Sequence, residues 1–241
     1  MNNIRFCILG FAVFLLFSCG ASPNYIRRIQ ALEEGVSNPT TIEELKDAIG
    51  KYEKRVEDIV GAQSQTGIWY KILATRYIDK AMYGEALDAL RAAIQYYPSN
   101  QNLFYYVGVC AGYMAKSTLD FGEGDYKADR ERYLGLAESG YERALEIQPD
   151  YSRAMYGLGV LYTFEMNQPE KAVPLLENFL TIQTKDTSGM FVLARAYYMT
   201  GRYDEAVSTY DRIIETTKVE EQKKDAMENK ELILTFLYGE N

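Results

Sequence analysis

The strongest constraint on this chain is a pattern that returns about every 34 residues. From Gly67 to Asn100, Tyr70, Leu73, Ala74 and Tyr77 stand at helical spacing, followed by Ala86, Leu90, Ala93 and a closing Pro98. The window that opens at Gln101 repeats it with Phe104, Val107, Gly108 and Ala111, then Ala137, Tyr141, Ala144 and Pro149. A third copy begins near Ser152 with Met155, Leu158, Gly159 and Tyr162, and its second half, Ala172, Leu176 and Phe179, runs one residue out of step. The fourth carries Met190, Leu193, Ala194, Tyr197, Gly201, Tyr203, Ala206 and Tyr210, with Ile213 in place of Ala and Lys218 in place of Pro. Each copy reads as two amphipathic helices that cannot bury their apolar faces alone, so the copies must stack. The second copy has 17 surplus residues at about 117–133, because Gly108 to Ala137 spans 29 positions where the pattern has 12.

These spacings resemble the tetratricopeptide repeat family over about residues 67–218. The resemblance implies an all-α fold, a right-handed superhelical solenoid of helix hairpins with N- and C-terminal capping helices. Small residues (Ala74, Gly108, Gly159, Ala194) let paired helices approach, and large ones (Tyr77, Leu90, Tyr162, Leu176, Tyr197, Tyr210) fill the space between hairpins. It also implies a concave groove lined by the first helix of each hairpin, with a protein or peptide partner inside. Counted from each small residue, the inward positions give Lys71, Asn102, Tyr105, Val109, Tyr113, Arg153, Tyr156, Val160, Phe164, Phe191, Arg195 and Tyr198 as partner-binding candidates. This aromatic lining with two arginines departs from the Lys/Asn carboxylate clamp of chaperone-binding family members. The alternative is that the aromatics pack onto adjacent helices and leave no open groove.

The repeats sit within a longer organisation. Residues 1–18 read as an export signal, with Arg5 ahead of a twelve-residue apolar run, Phe6–Phe17, too short to span a bilayer. The sequence Leu16-Phe17-Ser18-Cys19-Gly20 resembles a bacterial lipobox, which makes Cys19 the lipidation site and 19–24 a tether. Phe17 is bulkier than the usual residue there. Residues 25–66 read as a divergent helical hairpin, its second helix opened by a capping box at Thr41-Ile42-Glu43-Glu44. The repeats then divide as 67–100, 101–151, 152–186 and 187–218, and 219–241 reads as a C-terminal capping helix.

Composition narrows the chemistry. The 241 residues contain no histidine, which removes Ser-His-Asp hydrolases, Cys-His proteases and most zinc enzymes. With 26 Lys and Arg against 34 Asp and Glu, the charge of −8 disfavours nucleic acid as a partner. Cys110 is the one cysteine beyond Cys19, so no internal disulfide is expected in the mature chain. Asp120, Glu123 and Asp125 read as a solvated turn rather than a metal site, and Gly157-x-Gly159 lies inside a helix where no phosphate loop can form. No cofactor or metal is expected, and the chain is read as no enzyme. The expected function is a lipid-anchored interaction scaffold of the bacterial envelope, facing the periplasm and leaning to the outer membrane because Gly20 is not acidic. The alternative is a periplasmic carrier of an apolar small ligand associated with a solute transporter. Homo-oligomerisation stays open.

Overall fold

The computed structural model describes residues 39–118 and 126–239. The signal segment, Cys19, the tether, the first part of the N-terminal hairpin and the acidic turn at 120–125 lie outside the described residues. Helices and short turns account for what is described, with no strand among these residues. The chain divides into two units, residues 1–63 and 64–241.

In the first unit the capping box at Thr41 is formed. Thr41 Oγ1 accepts from the Glu44 N–H at 3.2 Å, while Glu44 Oε2 accepts from the N–H groups of Thr40 and Thr41 at 2.8 and 3.0 Å. These donors hold the Glu44 carboxyl below its ordinary pKa, the Thr40 N–H contributing most. The helix they start, α1 (Ile42–Asp79), has no turn at 66–67, where the repeat phasing begins the first hairpin. No proline interrupts it. Gly61 and Gly67 each weaken a helix by only about 1 kcal/mol relative to Ala, which a helix of this length absorbs.

The second unit is a series of hairpins. The C-terminal part of α1 pairs with α2 (Tyr83–Tyr96), and α3 (Gln101–Ser117) pairs with α4 (Tyr126–Ile147). Next come α5 (Ser152–Val160) with α6 (Pro169–Ile182), α7 (Thr187–Met199) with α8 (Tyr203–Thr216), and finally α9 (Glu220–Tyr238). The repeat slots supply the core: Ala74, Ala86, Leu90, Ala93, Leu158, Leu176, Leu193, Ala206, Tyr210 and Ile213 are all buried. In the α3–α4 hairpin the two backbones approach each other closely: a Cβ on Gly140 would lie 2.7 Å from the Gly108 nitrogen. Only glycine fits there. Leu73 departs from its slot: it is 40% exposed beside Trp69 at 60%, since no described helix of this unit precedes α1 to cover that face. Cys110 is fully buried, and burial pushes its thiol pKa up to about 12, so it acts as a small apolar residue.

The hairpin turns reuse one backbone device. Ala81, Asn167 and Gly201 have φ of 56°, 52° and 75°, and each stands five residues before the buried Ala of its second helix. In the first and fourth repeats the next N–H closes the turn, Met82 to Tyr77 O and Arg202 to Tyr197 O, both at 2.9 Å. In the third repeat the matching bond, Gln168 N–H to Tyr162 O at 2.8 Å, spans one residue more. That residue is absorbed by a π-helical turn, Leu161–Glu165, closed by Met166 N–H to Leu161 O at 3.0 Å. The out-of-step third copy is thus a local widening of the helix, and the stacking continues in phase beyond it.

At the far end, α9 packs against α8 through Ala226 and Ile233, with Lys230 Nζ 2.6 Å from Asp211 Oδ1. Gln222 Oε1 accepts from the hydroxyls of Thr187 and Thr217 at 3.0 and 2.7 Å. Leu232, Phe236 and Tyr238 face outward. No described helix is long and apolar enough to cross a membrane.

Candidate functional site

A groove of about 340 Å³ opens between the first helices of the second and third repeats. Helix α3 contributes Tyr105, Val109, Gly112, Tyr113 and Lys116 to it, and α5 contributes Arg153, Tyr156, Gly157 and Val160. Tyr141 of α4 closes the floor, and the π turn adds Leu161 and Glu165. The α3 residues recur at intervals of three and four, which puts them on one helical face.

Packing fixes the aromatic rings. Tyr105 meets Tyr141 at 5.9 Å and stands edge-on to Tyr151 at 5.7 Å, and Tyr113 stacks on Tyr83 at 4.5 Å. Tyr151 donates its hydroxyl to Asn102 Oδ1 at 2.7 Å. Tyr141 is buried against Gly157, where a Cβ would lie 2.7 Å from the ring, so the glycine is needed for packing and not for a phosphate. Burial pushes the Tyr141 phenol well above its ordinary pKa, leaving a neutral hydroxyl at the floor.

The charges of the groove are cationic in an acidic chain. Arg153 lies over the Tyr105 ring at 4.8 Å and the Tyr106 ring at 5.9 Å. Burial opposes its charge, but the phenols of Tyr105, Tyr151 and Tyr106 outweigh that, and its pKa is raised. The carboxylate of Glu165 is taken up by Arg130, 2.8 Å away, which also donates to the Glu165 backbone carbonyl at 3.3 Å. Arg130 thereby ties the start of α4 to the π turn, a type of distortion frequent at functional sites.

The structure brings six of the candidates into this groove: Tyr105, Val109, Tyr113, Arg153, Tyr156 and Val160. The other six sit elsewhere. Lys71 lies over the Tyr97 ring at 5.3 Å, Asn102 is engaged by Tyr151, and Phe164 is 54% exposed on the π turn. Phe191 packs edge-on against Tyr210 at 6.1 Å, and Arg195 lies over Tyr198, which itself packs on Tyr203. Tyr156 also touches Phe179 at 5.5 Å. Some aromatics therefore serve the helix stack while an open groove remains. Sequence reasoning missed Lys116, Glu165 and the floor role of Tyr141. The 13-residue interval from Gly159 to Ala172, against 12 in the first and fourth copies, carried the signal for Glu165. No group of three or more Cys, Asp and Glu that could hold a metal occurs among the described residues.

Comparison with known proteins follows the same architecture. Residues 163–224 match a family model described as tetratricopeptide repeat. A TPR repeat-containing protein of Borreliella burgdorferi is 25% identical over 88% of this chain and 92% of its own length. YrrB, described as a TPR protein with an unusual peptide-binding site, superposes with a TM-score of 0.56 at 19% identity, covering 71% of this chain and 78% of YrrB. A thermophilic TPR protein of Thermus thermophilus gives 0.54 at 17% identity, covering 76% of this chain and 91% of its own. The chain has the tetratricopeptide repeat fold. These matches support the tetratricopeptide repeat family.

Proposed function

We propose that this protein is a lipid-anchored tetratricopeptide repeat scaffold of the bacterial cell envelope that holds a segment of a partner protein in its concave groove and catalyses nothing. The observation that carries the reading is the groove between the second and third repeats. Tyr105, Tyr113 and Tyr156 flank Val109 and Val160 there, with Arg153 and Lys116 on the walls. Rigid aromatics beside apolar positions suit an extended or helical peptide with apolar anchors, since such side chains give large contact area at small entropic cost. YrrB, of the same fold, is described as having a peptide-binding site, which supports the reading by analogy. The lipobox-like sequence at Cys19 supports the anchor.

Two experiments test the two halves. Native mass spectrometry of the protein extracted gently from its own membranes should show a co-isolated polypeptide, lost when Gly112→Gln fills the groove. An unchanged complex would refute the groove, and a small bound mass in place of a polypeptide would make the protein a carrier. Cys19→Ser should move the protein from membranes into the soluble fraction; retention on the membrane would place the anchor elsewhere.

A further inference from the structure

The two later junctions between repeats share a side-chain device that the first lacks. Tyr162, at the end of the third repeat's first helix, donates its hydroxyl to Glu138 Oε1 at 2.8 Å and Glu142 Oε1 at 3.2 Å on the preceding α4, and Lys171 of α6 lies 4.9 Å over its ring. Tyr197 in the fourth repeat does the same with Glu177 of α6 at 2.6 Å, under Arg202 at 4.3 Å. Each ring fills the space between successive second helices on the face away from the groove. The equivalent of Tyr162 and Tyr197 in the second repeat is Ala111, three residues after Gly108, and the equivalent of Glu142 and Glu177 in the first repeat is Arg91, five after Ala86. The tyrosine is missing and the charge is reversed.

A cleft of about 360 Å³ stands at that junction, between α2 and α4. Its walls are Leu87 and Ile94 of α2 and Leu136 of α4, and its floor is Phe104 and Val107 of α3. Arg91 and Arg143 line it from opposite sides, Arg143 lying 5.8 Å over the Phe104 ring. Among the described residues both arginines form ion pairs only with exposed neighbours on their own helices, Asp88 and Glu146, at 2.9 and 2.7 Å. Exposed pairs of this kind hold weakly and yield readily to a competing anion. The volume lies in the range of small-molecule sites, at its lower end.

We infer that this cleft binds a small organic anion with an apolar body, such as a medium-chain carboxylate. The apolar body lies over Phe104 and Val107, and the carboxylate is held between Arg91 and Arg143. This inference is independent of the groove, because the cleft and the groove share no lining residue.

Decanoate is the probe, titrated calorimetrically into the full chain carrying Cys19→Ser so that neither acyl chains nor detergent compete. Saturable one-to-one binding is expected. The double variant Arg91→Gln with Arg143→Gln should weaken decanoate at least tenfold and leave decan-1-ol unaffected, while Ser139→Trp, at the exposed rim, should abolish binding of both. Circular dichroism melting shows that each variant is folded. Absence of saturable binding, equal weakening of acid and alcohol in the arginine variant, or binding that survives Ser139→Trp in the folded protein would each overturn the inference.

Discussion

Gly112 offers a test of the groove in which binding and stability move in opposite directions. It lies inside α3 and lines the groove, and a Cβ added there meets nothing within 4 Å. Gly112→Gln therefore places a side chain into the space proposed for the partner without a clash. Glutamine is a better helix former than glycine by roughly 0.5 kcal/mol, so the folded protein should gain about that much. For a domain of this size that corresponds to a melting point about 1–2 °C higher. Partner binding should fall more than tenfold, because the new side chain occupies volume that no neighbour can vacate. The assay is thermal melting by circular dichroism beside co-isolation from membranes, each on the same preparation. Most variants that lose binding do so by losing stability, whereas here loss should accompany a gain. A melting point several degrees lower would show that α3 is covered at this position, and an undiminished complex at the higher melting point would show that the partner binds elsewhere. Either result would refute the reasoning.

The remaining predictions concern the frame of the groove. Gly157→Ala forces a Cβ to within 2.7 Å of the buried Tyr141 ring, so it should cost about 1–3 kcal/mol in urea unfolding, the opposite sign to Gly112→Gln although both glycines line one groove. Ala81→Gly relieves a left-handed alanine at φ 56° and should stabilise the protein by about 1 kcal/mol, read as a higher melting point; Gly201, already glycine at the same turn position, has no such gain to give. Burial first, then the hydrogen bond to Glu177, raises the Tyr197 pKa from 10.0 to about 12, so the neutral phenol is favoured in the folded state. The stability it contributes is complete below pH 10 and is lost as pH rises towards 12. Urea midpoints measured from pH 9 to 12 should fall over that interval, and less steeply in Tyr197→Phe.

Legibility differed between residues for physical reasons. Slots that need a small or a large apolar residue are visible because their spacing follows the helical period, and Ala74, Leu90, Leu176, Ala194 and Tyr210 are buried where that spacing puts them. Leu73 satisfies the same pattern yet stays exposed, because burial depends on whether a neighbouring helix arrives to cover it. Six of twelve groove candidates line the groove; Phe191 and Arg195 occupy equivalent positions but are drawn onto Tyr210 and Tyr198. Whether an inward ring lines an opening or packs on the next helix depends on the side chains it meets there, which periodicity does not encode.

Spacing along the chain carries the helical class and the recurrence of a two-helix unit, since each is a local matter of periodicity. It also held the extra residue between Gly159 and Ala172, without saying where the chain would take it up. The tertiary structure placed that residue in a π turn at Leu161–Glu165, where Arg130 from α4 bonds Glu165 and the widened helix borders the groove. It likewise left a cleft between α2 and α4 while burying Tyr162 and Tyr197 at the later junctions, because a cavity is a property of several helices at once. Spacing along the chain fixes which residues face together, and only the packing of those faces decides what stays open to a ligand.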